Sequence, residues 1–155
     1  ITLYIVPFTD IQLEIRDNAP EEHMTLLMRR YMMRIAERIA RRTGSEALVT
    51  GESVGQVASQ TLAALNVTNA VVDMPILQPL IGMDKLEIIE RAYKIETYET
   101  SILPYEDCCT VFTPSHPTTN PKLKNIEKSE SNLRVEELIE KALEGVEKIV
   151  VYPKA

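Results

Sequence analysis

Short apolar runs alternate along this chain with stretches whose apolar residues recur at helical spacing, so strands interleaved with helices are predicted. Residues 2–6, Thr-Leu-Tyr-Ile-Val, are β-branched or apolar up to Pro7 and read as a buried strand. Residues 8–15 alternate only in part, as a short extension or a shaped loop would. Pro20, Glu21 and Glu22 then open a long helix, because its first turn needs no proline N–H and favours acids. Met28, Met32, Ile35, Ala36 and Ile39 mark its apolar face, and Gly44 ends it. Ala47, Leu48 and Val49 form a second short strand.

Beyond it, Ser53 and Gln56 have the spacing of a capping box, and Val54, Val57, Ala58, Thr61, Leu62 and Leu65 continue as a helix of three turns. Residues 70–73 read as a strand and residues 75–79 as an extended connection. Asp84 caps a helix reaching Lys94, with Leu86, Ile88, Ile89 and Ala92 on its apolar side. A last helix covers residues 135–143, Gly145 closes it, and residues 149–152 add an edge strand. Residues 114–132 are expected to be the least ordered. Alternating strands and long helices define an α/β fold with a parallel sheet flanked by helices.

Composition narrows the picture. The chain has 155 residues, enough for one domain or part of a larger one, and a net charge of −6, so its surface as a whole is no nucleic-acid platform. Six arginines nevertheless cluster at Arg29, Arg30, Arg34, Arg38, Arg41 and Arg42, while residues 127–147 are largely acidic. No apolar run has membrane-spanning length, and the N-terminus lacks the features of a signal peptide. The two cysteines are adjacent, so there is no disulfide framework, and a reducing cytoplasm is the expected compartment. The first residue is Ile1, inside a strand pattern; a piece of a longer polypeptide is expected.

Three places invite chemistry. Residues 50–56 follow a strand and precede a helix, where open parallel sheets bind ligands; Gly51 and Gly55 let backbone approach closely, and N–H groups face an anion. Ser53, Gln56, Ser59 and Gln60 fall on one polar, uncharged side of the expected helix, as a base-binding or ribose-binding wall would. On the arginine helix, Arg30, Arg34, Arg38 and Arg41 form one exposed stripe, usually a solvated face and more rarely a nucleic-acid footprint. Arg29 stands apart, at the edge of the apolar face beside Met32, Met33, Ala36 and Ala40, where it could meet a phosphate. Cys108 and Cys109 sit among acids, hydroxyls and prolines, leaving nucleophile, sulfur carrier, metal ligand and small buried hydrophobe open. His116 would lower a thiol pKa if the loop folds back, and Glu106 and Asp107 would oppose it. His23 and His116 offer no metal spacing, and neither a Walker A nor a G-x-G-x-x-G motif occurs.

In order and spacing, ALVTGESVGQVASQTL, PILQPLIGMDKLEII and LPYEDCCTVFTPSHPTTNPKL resemble the tRNA sulfurtransferase family of 4-thiouridine and thiamine-thiazole biosynthesis, from Ile1 to about Lys124. The resemblance implies part of a Rossmann-like adenine nucleotide alpha hydrolase (PP-loop) domain over residues 1–124, followed by a helical and strand extension over 125–155. It implies that ATP, as its magnesium complex, adenylates a tRNA uridine at C4 and that a persulfide sulfur then displaces AMP, with no resident metal or prosthetic group. Arg29, Gly51 and Gln60 match the family's nucleotide-contacting positions. The thiol pair matches its sulfur-handling cysteine; the following Thr-Val-Phe favours Cys109, and ungapped counting from Asp84 favours Cys108. The implied partners are tRNA, a cysteine desulfurase as persulfide donor and a thiamine sulfur-carrier protein, without a membrane and with room for a homodimer. The defining serine-glycine-glycine loop is absent and is expected before Ile1, as are an RNA-binding region and, in some members, a rhodanese-like domain after the chain. Alone, this piece is expected to be inactive. The competing readings are a non-catalytic nucleotide- or RNA-binding α/β module and a structural domain with buried cysteines.

Overall fold

The computed structural model describes residues 1–105 and 116–152. In chain order its elements are β1 (Thr2–Ile5), α1 (Thr9–Asn18), α2 (Met24–Arg42), β2 (Leu48–Val49), α3 (Leu62–Asn69), β3 (Ile76–Leu77), α4 (Lys85–Lys94), α5 (Tyr98–Ser101), α6 (Leu123–Glu130), α7 (Val135–Glu144) and β4 (Glu147–Val150). Helix α2 organises them. Its Leu27, Met28, Tyr31 and Ile35 recur at spacings of three and four and are all buried. Against them close Ile11 and Ile15 of α1, Ala64 and Val67 of α3, Ile126 of α6, and Leu138, Ile139 and Ala142 of α7.

Two sheets lie on this helical core. β1 pairs antiparallel with β4, from Thr2 opposite Val150 to Ile5 opposite Glu147. The Ile1 nitrogen extends that ladder by donating to the Val151 carbonyl at 2.8 Å. β2 and β3 are parallel, with Leu48 opposite Ile76 and Val49 opposite Leu77. The fold is therefore α/β, although the parallel part among the described residues is one pair of two-residue strands.

Four local expectations are corrected. Residues 9–18 form a helix: Ile11, Gln12, Glu14 and Ile15 are the buried ones, the i, i+1, i+3, i+4 pattern of a helical face, where a strand would bury alternate residues. The helix expected from Ser53 begins instead at Leu62. Gly55, at φ 83°, occupies the left-handed region that a right-handed helix cannot contain. Ser53 is not a cap: its hydroxyl donates to the Met83 carbonyl at 2.6 Å, and Thr61 caps α3 by accepting the Ala64 amide at 3.1 Å. Residues 70–73 close the end of α3, the Ala70 amide donating to the Asn66 carbonyl at 3.1 Å; the strand lies further on, at Ile76–Leu77. Within residues 114–132, α6 is well formed because Ile126 and Glu130 are buried in the core and its border. The Asp84 cap holds as expected: its carboxylate accepts the Leu86 and Glu87 amides at 2.8 and 2.9 Å, and Glu87 returns the capping-box bond to the Asp84 amide.

Candidate functional site

The carboxyl end of β2 runs directly into Thr50, Gly51 and Glu52, facing the first turns of α2. A cavity of about 340 Å³ opens there between Arg29, Gly51, Glu52 and Gln60, with Met32, Met33 and Ala36 as its apolar wall. The residues set apart by the sequence, Arg29, Gly51 and Gln60, thus meet at one place. Gly51 borders open space, since a Cβ built there would find no described heavy atom within 4 Å. Packing does not require the glycine; close approach by a ligand would. Gln60 ends a 3-10 turn at Ala58–Gln60, and its Oε1 accepts the Ser53 amide at 3.3 Å, which orients the side-chain amide. The uncharged helix face expected from Ser53, Gln56, Ser59 and Gln60 does not form, because these residues lie before α3 rather than on it.

Glu52 is the residue that sequence reasoning missed. It is 5% exposed, and its carboxylate accepts Arg29 Nη2 on one oxygen and the Thr50 hydroxyl and Gln78 Nε2 on the other, the Gln78 bond being 2.8 Å. An acid beside a glycine turn was visible in the sequence; the arginine 23 residues earlier that claims it was not.

The arginine stripe is a correction. Arg30 is 2% exposed, and its Nε and Nη2 bind the two Glu130 oxygens at 3.0 and 2.7 Å, while Nη1 donates to the Val67 carbonyl at 2.7 Å. Arg34 adds a second bidentate pair to the same carboxylate, at 2.6 and 2.8 Å. Arg38 binds Glu136 and Glu140, and Arg41 binds Glu37. Acids of α6 and α7 thus pair with Arg30, Arg34 and Arg38, and Glu37 of α2 itself with Arg41, so the four arginines of the stripe are held by carboxylates rather than presented as an open basic footprint. Burial pushes the Glu130 carboxyl up, but hydrogen bonds from Arg34 and Arg30 outweigh it and hold its pKa at about 2.

Cys108 and Cys109 lie outside the described residues. His116, at the far end of their segment, borders a small cleft with Pro20, Glu21 and Glu22. His23 is buried and shares a 3.0 Å hydrogen bond with Ser129. Among the described residues no group of three or more His, Cys, Asp or Glu side chains has the arrangement of a metal site, and no helix is long and apolar enough to cross a membrane. A larger groove of about 460 Å³ runs between β1 and β2 over α2, lined by Tyr4, Val6, Ile35, Ile39 and Leu48 among others. Its lining holds no acidic or basic side chain.

A glycine, an arginine and an amide are gathered at a strand's carboxyl end, the place where the open-sheet α/β class of proteins takes its ligands. Comparison with known proteins narrows that class. The family described as thiamine biosynthesis protein (ThiI) matches residues 1–135, and the chain belongs to this family. It is 64% identical over 97% of its length to a protein of Acetivibrio thermocellus described as "Probable tRNA sulfurtransferase", and 62% identical over 94% to one of the same description from Alkaliphilus oremlandii. It covers 38% and 37% of those two proteins, so it spans less than two fifths of the curated relatives it matches. A solved structure described as a 4-thiouridine synthetase–RNA complex with bound ATP superposes with a TM-score of 0.92 at 42% identity, over 97% of this chain and 39% of the other.

Proposed function

We propose that this chain is the nucleotide-handling part of an ATP-dependent tRNA sulfurtransferase, within a Rossmann-like PP-loop domain whose remainder lies elsewhere in the protein. The observation that carries the proposal is the convergence of Arg29, Gly51 and Gln60 on one cavity at the end of β2. Its volume falls in the range of small-molecule sites, roughly 300–1,000 Å³, and its mix of one apolar wall with a few polar groups suits a nucleotide. The likeness to a structure described with bound ATP and RNA supports the same reading.

In this mechanism Arg29 faces phosphate, Gly51 gives backbone access and the Gln60 amide holds the nucleoside. ATP enters as its magnesium complex and transfers AMP to O4 of a tRNA uridine, releasing pyrophosphate. The outer sulfur of a persulfide attacks C4 and AMP leaves. A second thiol then attacks the inner sulfur, breaking the S–S bond to release 4-thiouridine and leaving a disulfide that a dithiol reductant returns to two thiols. The same sulfur chemistry serves thiazole synthesis. Cys109, with Cys108 as the alternative, receives or resolves the persulfide, and its reactivity follows its thiolate fraction. A cysteine desulfurase supplies sulfur, a thiamine sulfur-carrier protein takes it in the second role, and the setting is the cytoplasm. The extension after residue 124 closes the core through its residues up to 152, and a homodimer is compatible with this arrangement.

In the intact protein, Cys109→Ser is expected to abolish 4-thiouridine in digested tRNA while sparing ATP-dependent AMP transfer. Thiolation retained in both single cysteine variants would remove the thiol's role. No AMP release at all by the intact protein would instead favour a non-catalytic nucleotide-binding module.

A further inference from the structure

We propose that Glu52 is a positioning residue for the nucleotide, acting through Arg29; this rests on reading the cavity as an ATP site. Three elements meet at its buried carboxylate. Arg29 arrives from α2, Thr50 from the end of β2 and Gln78 from the residue after β3. Beneath them, the Thr50 amide donates to the Leu77 carbonyl at 3.0 Å and locks the two strand ends together. Glu52 is thus held on one oxygen by the sheet and holds Arg29 with the other.

An arginine has a long side chain with much rotamer freedom, and fixing it when a ligand arrives costs affinity. A buried carboxylate that takes one edge of the guanidinium meets that cost beforehand and sets the plane in which the side chain crosses the cavity rim. The electrostatic effect has the opposite sign. A negative charge beside Arg29 opposes binding of an anionic phosphate, so as a simple charge Glu52 would weaken ATP binding. Removing the charge while keeping the shape separates the two effects by the direction of the change.

The test uses the intact protein and ATP, with equilibrium binding by calorimetry and thermal midpoints measured on the same samples. Glu52→Gln is expected to weaken ATP binding about tenfold or more, in the range of positioning losses, with the protein still folded. Arg29→Ala should weaken it at least as much. The double variant should bind no worse than Arg29→Ala, because Glu52 acts only through that side chain. Glu52→Gln binding ATP as tightly as the parent, or more tightly, would overturn the inference while leaving the nucleotide site intact. Losses that multiply in the double variant would overturn it too. Failure of the parent protein to bind ATP, or an Arg29→Ala variant with unchanged affinity, would bring down the nucleotide reading itself and this inference with it. If Glu52→Gln does not fold, Gln78→Ala decides, since it cuts the tether and leaves the ion pair. A loss of about threefold is expected from one such hydrogen bond, and an unchanged affinity would overturn the proposal.

Discussion

Glu130 serves two arginines from the border of the core, and the consequences can be measured. Breaking a buried pair by removing one partner leaves charge uncompensated, a loss of about 3–5 kcal/mol. Glu130→Ala should therefore lower the thermal midpoint strongly, since both Arg30 and Arg34 would lose their acceptor. The same contact makes stability depend on acid. Glu130 is held at about 2 in the folded protein, below its ordinary value of 4.5, so the unfolded chain binds more protons between these limits. Its stabilisation, about 3 kcal/mol at most from the size of that shift, is present above pH 4.5 and fades as pH falls toward 2. Denaturation across that window should be steeper for the parent than for Glu130→Gln. Tyr31 predicts the reverse of a typical core loss. Its hydroxyl is buried with no hydrogen-bond partner among the described residues, and burial, with Glu130 and Glu14 nearby, pushes its phenol well above its usual pKa. Tyr31→Phe removes an unsatisfied group at almost no change of volume, and should leave the thermal midpoint unchanged or raise it.

At the level of elements, the helix starts differ in what they hold. α4 fully buries none of its side chains, Ile88, Ile89 and Ala92 being half-buried, so its start depends strongly on the Asp84 and Glu87 capping box. Asp84→Ala should cost about 1 kcal/mol, seen as faster amide exchange within α4 and little change elsewhere. Thr61 does more. It caps α3 and also donates its hydroxyl to the Thr119 carbonyl at 2.7 Å, joining the start of α3, next to Gln60, to the segment that follows the cysteines. Thr61→Val keeps the shape and loses both bonds, so exchange should speed up at the first amides of α3 by the loss of about 1 kcal/mol.

Across the whole molecule, two surfaces complement each other and one does not. The basic side of α2 is covered by the acids of α6 and α7, which joins the start and end of the chain through side-chain pairs as well as through the β1–β4 ladder. The groove between β1 and β2 is apolar and open, with Leu3, Ile5, Val49 and Leu77 all exposed on the strands beside it. Open strand edges and exposed apolar surface drive association. The 155-residue chain produced by itself should therefore associate as its concentration rises, which sedimentation velocity would detect, and should bind an apolar dye.

Local rules were enough for α2, the Asp84 cap, the last helix and the two glycine stops at Gly44 and Gly145, because periodicity and capping act within a few residues. The same rules isolated Arg29 from its neighbours by its angle around the helix, placed Gly51 at the turn after a strand and put Gln60 among uncharged polar residues, and the family likeness singled out the same three. Tertiary structure decided the rest. Ser53 had the spacing of a cap, yet a carbonyl thirty residues away claimed its hydroxyl. Arg30 stood on an exposed stripe until Glu130, a hundred residues later, buried it. Arg29 was legible as a residue set apart from its stripe, but Glu52 was not legible as its ion-pair partner, nor Gln78 as the residue bonded to Glu52. Their partnership depends on where two strand ends fall beside a helix, and burial and charge pairing across such distances are set only when the chain has closed on itself.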